Sequence, residues 1–153
     1  MSWLMMALPA AFAQAATETP DGVDAMYRAL SAREMTTTCQ QLAEMSAAPV
    51  SALVYIAENA RRPAWAGIRA ADCLSRHHAQ DAQPQLTRWV GQEETRGLAI
   101  VVLNNLEQMP VAVSVPLAQA AMAGPMIEDA RPRIQTAQVP QVRAIAEDVP
   151  DQP

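Results

Sequence analysis

An all-α fold is predicted by three observations. Apolar residues recur at spacings of three and four through most of the chain, most prolines fall between those runs, and the one alternating run has no partner to pair with as a sheet. With 153 residues there is room for one domain. Half the residues are apolar, 18% are charged and 4% are aromatic, which describes a core of Ala, Leu, Val, Ile and Met rather than a disordered chain. The eleven basic residues are all Arg and stand against sixteen carboxylates, for a net charge of -5. A nucleic-acid coat or a binder of anionic membranes does not fit that balance.

The elements follow in order. Val23, Met26, Tyr27 and Leu30 share one helical face. Thr37 and Gln40 are spaced as a capping box for a second helix, with Cys39, Leu42 and Met45 inward. Pro49 opens a third helix with Val50, Leu53, Ile56 and Ala57 inward, and Arg61-Arg62-Pro63 breaks it, since proline costs about 3 kcal/mol in a helix interior. A fourth helix runs from Ala64 to near His77-His78, with Trp65, Ile68, Ala71 and Leu74 inward. A fifth follows Pro84 with Leu86, Trp89 and Val90. The sixth, about Thr95 to Met109, carries Leu98, Ile100, Val101, Val102, Leu103 and Leu106 around most of its circumference, which predicts the central buried element. Val111 to Val115 alternates like a strand between Pro110 and Pro116 and is read as the entry to a seventh helix, Leu117 to Ala123, with a short extended segment as the alternative. From Gln135 to Pro153 the chain turns polar and proline-containing, a tail in which Val139, Val142 and Ile145 are spaced for one short helix.

Residues 1–15 read as a secretory signal peptide. Met1 to Thr17 carries no charge, and Trp3 to Ala13 is an apolar run too short for the about 20 residues a bilayer needs. Ala11-Phe12-Ala13 and Ala13-Gln14-Ala15 offer small-x-small cleavage sites, so cleavage is expected after Ala13 or Ala15. The usual opening Lys or Arg is missing, and the natural start is expected upstream. Residues 16–22 would be a flexible lead-in and 23–134 the folded domain. Export makes an oxidising compartment, so Cys39 and Cys73 are expected to pair as a disulfide, against the alternative of two buried thiols. Such a bridge is worth roughly 3 to 4 kcal/mol by loop entropy.

An approximate period also runs through the chain. Leu53 and Ile56 match Leu86 and Trp89 after 33 residues, and these match Leu117 and Ala120 after 31. Ile68 and Ala71 match Leu98 and Val101 after 30, and these match Ile127 and Ala130 after 29. Helix pairs of this length bury their apolar faces by stacking on neighbours. Trp65-Ala66-Gly67-Ile68-Arg69-Ala70-Ala71-Asp72-Cys73-Leu74 resembles the second helix of bacterial HEAT-type helical repeats. Thr95 to Leu103 is similar, and Glu128-Asp129-Ala130-Arg131 is a weaker echo. The resemblance covers about Pro49 to Ile134. It implies a short right-handed solenoid of stacked antiparallel helix pairs that works as a binding surface, with no catalytic residues to carry over.

Chemistry-bearing residues are few. His77 and His78 are the two histidines, and Cys73, four residues before His77, could with Cys39 be imagined as a Cys-His-Cys zinc set, but the spacing has no finger-like pattern and a disulfide would consume both thiolates. No metal and no cofactor is expected. Gly-x-Ser-x-Gly and phosphate-binding glycine loops are missing, and Glu93-Glu94 and Glu128-Asp129 fit helix starts, so no enzyme is expected. Arg61, Arg62, Trp65 and Arg69 cluster at the break between the third and fourth helices, with Arg88 and Arg96 in comparable places one unit on. Arg with Trp is the combination enriched at interface hot spots. These six are the candidate partner-binding residues, and the competing reading has Trp65 in the core and the arginines solvated or paired with Glu58 and Asp72. The expectation is a periplasmic or secreted, non-catalytic adaptor or structural subunit whose partner is another protein. The alternative is a periplasmic helical bundle whose methionine-rich interior, with six Met after the signal, encloses an apolar small molecule or lipid.

Overall fold

The structure, a computed structural model, describes residues 18–149, so the signal-peptide reading and the last four residues lie outside it. Among the described residues the only regular structure is helical: α1 (Val23–Ser31), α2 (Cys39–Ala43), α3 (Pro49–Asn59), α4 (Ala64–His77), α5 (Gln83–Val90), α6 (Arg96–Asn104), α7 (Val111–Ala123), α8 (Ile127–Gln135) and α9 (Pro140–Asp148). Single turns of 3₁₀ helix at Glu93–Thr95 and Leu106–Gln108 flank α6. No helix among them is long and apolar enough to cross a membrane.

Helix starts follow from local chemistry. Helices α3, α5 and α9 carry proline in their first turn, where the missing N–H would have no intrahelical partner anyway. The capping box of α2 forms one residue later than the sequence suggested. Thr38 Oγ1 accepts from Gln41 N at 3.2 Å while Gln41 Oε1 accepts from Thr38 N at 2.8 Å. The end of the lead-in is tied down: Asp21 accepts from Ser46 Oγ at 2.6 Å and from Ala47 N at 3.2 Å. Gly22 turns the chain there at φ 77, and a Cβ on it would lie 2.3 Å from the Met45 carbonyl oxygen.

Packing alternates along the chain. Helix α3 lies on α4, α5 on α6 and α7 on α8; in addition α4 touches α6, α6 touches α8, α5 touches α7 and α7 touches α9. Helix α1 closes one end against α3 and α4. Trp89, Leu86, Leu53, Leu74, Leu117 and Ile134 are fully buried along this line. The short helix allowed for after Gln135 is α9, whose Val142, Ile145 and Ala146 are buried against α7 and α8.

The structure corrects four details. Trp65 and Ile68 do not point inward: they are 45% and 40% exposed, and the buried face of α4 is Ala66, Gly67, Ala70, Ala71, Cys73 and Leu74. The cause is a close crossing of α3 and α4, where a Cβ on Gly67 would sit 3.0 Å from the Ala57 carbonyl oxygen, so the small side of α4 must face in. Met45 lies beyond the end of α2 and is 37% exposed. The sixth helix stops at Asn104, and Leu98, Ile100 and Val101 are only half-buried, leaving Ala99, Val102 and Leu103 as its inner face. Finally, the seventh helix starts at Val111 rather than Leu117, so Val111 to Val115 is its entry and not an extended segment; burying Val113, Leu117, Ala118, Ala121 and Met122 on one continuous helix offsets the few tenths of a kcal/mol that each valine costs and the cost of about 3 kcal/mol of an interior proline. Pro116 sits inside that helix.

Candidate interaction surface

Cys39 and Cys73 sit at disulfide distance, with Sγ atoms 1.97 Å and Cα atoms 5.5 Å apart, and connect the start of α2 to the buried face of α4. Two further ties hold the same region. The Arg69 guanidinium donates to the carbonyls of Leu30 at 2.8 Å, Ala32 at 2.5 Å and Arg33 at 3.1 Å, which places a positive charge where the end of α1 exposes unpaired carbonyls. Trp65 Nε1 donates to the Ser31 carbonyl at 3.3 Å, while the indole stays nearly half exposed.

The six predicted residues therefore divide into two groups. Arg69, Arg88 and Arg96 are engaged within the fold. Arg88 pairs with Glu58, which also accepts from Gln85 and, at 2.9 Å, from Trp89 Nε1. Arg96 pairs with Asp129 at 3.1 Å. Asp72, expected as an arginine partner, pairs with Arg76 at 3.5 Å and accepts from Asn105 at 2.9 Å. Gln108 closes a ring, donating to Asn105 Oδ1 at 3.3 Å and accepting from Arg76 Nε at 2.8 Å, so the buried Asn105 has partners for both ends of its amide. Arg61 and Arg62 are exposed, and among the described residues their side chains make no hydrogen bond or ion pair. With Trp65 they remain available to a partner.

Two open grooves flank the C-terminal half of α3. One, of about 450 Å³, runs between the α3–α4 and α5–α6 turns and is lined by Arg61, Gly67, Ile68, Glu94, Gly97 and Leu98 among others. The second, of about 640 Å³, lies between α3 and α5 and combines Val50, Val54 and Tyr55 with Glu18, Glu58 and Asp81. Sequence reasoning missed Ile68 as a surface residue and Leu98 as a groove wall, having turned both inward. The signal was present in Cys73: if Cys73 faces α2, then Ala66 and Ala70 share its face, and Trp65 and Ile68 turn outward.

The other candidates carry less chemistry. Among the described residues no group of three or more His, Cys, Asp or Glu is placed to hold a metal ion. His77 and His78 lie at the end of α4, and burial together with the neighbouring His77 holds the His78 imidazole below its ordinary value, against the upward pull of Asp81. Glu93 and Glu94 form the turn before α6, and Glu128 and Asp129 sit in the first turn of α8.

What the fold and surface define is a class only: an all-helical chain with one cystine and an exposed Arg–Trp–Ile patch at the edge of a groove. Comparison with known proteins finds no matching family model, no matching curated protein and no matching solved structure.

Proposed function

We propose that this is an exported, non-catalytic protein built as a short right-handed HEAT-type stack of helix pairs, which serves in the bacterial envelope as an adaptor or structural subunit. The observation that carries the reading is the spacing of the side-chain ties between helices. Glu58 with Trp89, Asp72 with Asn105, Arg76 with Gln108, Arg96 with Asp129, Asn104 with Arg133 and Glu107 with the Gln138 amide are separated by 31, 33, 32, 33, 29 and 31 residues. A stack produces this pattern because each pair meets only the next one, so partners recur at one repeat length. The pairing of Cys39 with Cys73 supports export to an oxidising compartment. The binding surface is the edge formed by Arg61, Arg62, Trp65 and Ile68. A lipid-binding bundle draws less support: the larger groove is open and bears Glu18 and Asp81, which make no side-chain hydrogen bond or ion pair among the described residues and which an apolar ligand would desolvate without compensation.

The test combines processing with contact. Intact mass of the protein from its native host, with and without reduction and alkylation, is expected to begin at Gln14 or Ala16 with both thiols blocked until reduction. A photo-crosslinking residue at Ile68 is expected to capture protein in the envelope fraction, and one at the exposed Gln141 of α9 to capture none. Retention of Met1 with freely alkylated thiols contradicts export, and equal capture at both positions contradicts the surface.

A further inference from the structure

We propose that the groove between the α3–α4 and α5–α6 turns is a self-complementary face, and that its occupant is a second copy of this chain. The inference rests on the interaction-surface reading above and names the partner.

The two rims of the groove carry opposite charges that no side chain among the described residues pairs. On one side Arg61 lines the groove, and it and the adjacent Arg62 are exposed, with no side-chain partner among the described residues. On the other, Glu94 lines the groove, and it and the adjacent Glu93 are exposed in the 3₁₀ turn before α6, also with no side-chain partner among the described residues. Glu58 and Arg88 at the base neutralise each other and leave the rims to set the pattern. Between the rims the groove mixes polar groups, Gln92 and Thr95, with two apolar side chains, Ile68 at 40% exposed and Leu98 half-buried. Gly97 keeps the space beside Leu98 open, since a Cβ on it would meet nothing within 4 Å.

Charge complementarity selects the occupant. An acidic segment from another protein would satisfy the arginine rim and be repelled by the glutamate rim, and a basic one would do the reverse. A second copy turned about a two-fold axis along the groove sets Arg61 against Glu94 twice, once in each direction, with Arg62 and Glu93 adding their charges from the adjacent positions. The same rotation brings Ile68 and Leu98 of one copy over those of the other. This is the geometry of an isologous interface, in which residue i meets j and j meets i. Each charge substitution therefore acts twice.

The experiment uses two charge-reversed variants, R61E/R62E with both rims acidic and E93R/E94R with both rims basic. All four positions are exposed, and unchanged circular dichroism and melting midpoint establish that each variant folds. By light scattering after size exclusion, the unmodified protein is expected at the mass of two copies, weakening as salt rises from about 0.05 to 0.5 M. Each variant alone is expected to dissociate at least about tenfold more readily. Mixed in equal amounts, the two variants are expected to recover the two-copy mass, because both contacts become attractive in the mixed pair. Three results overturn the proposal: an unmodified protein that stays at one-copy mass up to about 100 µM, a dimer that neither variant weakens, or folded variants that do not associate when mixed. If the purified protein is monomeric while crosslinking from Ile68 captures a different protein, the second copy is wrong and the interaction surface stands. If crosslinking captures nothing, both fall.

Discussion

Between Val23 and Ala48 the chain forms two short helices, and three ties hold it to α4: the Cys39–Cys73 pair, the Arg69 guanidinium on the α1 carbonyls, and the Trp65 indole on Ser31. Between Gln83 and Asp148 each helix buries an apolar face on its neighbours, as α1 also does with Val23, Met26 and Leu30, but there polar ties recur about one helix pair apart. The difference has a physical cause. Helix α2 has five residues and buries Leu42 alone, far below what an isolated helix needs to persist. Helix α7 has thirteen residues and buries six of them. One region is clamped from outside its own sequence, while the other is held by repetition of the same contact.

The largest break is expected in the repeated region. Trp89 is fully buried at the α5 position of the line of core residues, and its Nε1 donates to Glu58. Trp89→Ala is expected to cost about 3–5 kcal/mol in urea unfolding and to loosen the whole molecule. Next, C39A/C73A removes the covalent clamp and is expected to cost roughly 3–4 kcal/mol by loop entropy, with most of the helical signal retained. Arg69→Ala removes three charge-assisted bonds to α1 and is expected to cost about 2 kcal/mol, with Arg69→Lys recovering part of it.

The smallest effect is a pH dependence at His78. Its folded-state value lies below that of the unfolded chain, so the unfolded chain takes up the proton first as pH falls below about 6.5. Stability is therefore flat above that pH, declines below it, and levels once the folded imidazole is protonated. His78→Asn is expected to flatten that step in denaturation midpoints measured across the same range.

Much of the helix order was legible because prolines mark it: Pro49, Pro63, Pro84, Pro110 and Pro140 all lie at or beside a helix start. The pairing of Cys39 with Cys73 was legible from the even cysteine count together with the expectation of export. The rotation of α4 was not, because Trp65 and Ile68 are the larger apolar residues on it and size alone turned them inward. What decides the rotation is the close approach of α3 at Gly67 and the partner of Cys73, neither of which is local to α4. The same limit applies to α7. Val111 to Val115 alternates locally like a strand, and only the surfaces of α5, α8 and α9 against which it packs make a helix the better solution. At the candidate surface, the arginine cluster was visible in the sequence, yet which arginines are free depends on Glu58, Asp129 and the end of α1. The opposite glutamate rim was read only as a helix start.

The measurement that tests the contrast most directly is amide hydrogen exchange on the oxidised and the reduced protein. If pairs of helices meet only their neighbours, reduction is expected to raise exchange through α1, α2 and the loop that joins them, and to leave α7, α8 and α9 as protected as before. A uniform loss of protection reaching α9 would contradict the account, since it would show one closed cooperative unit in which the cystine supports every helix alike.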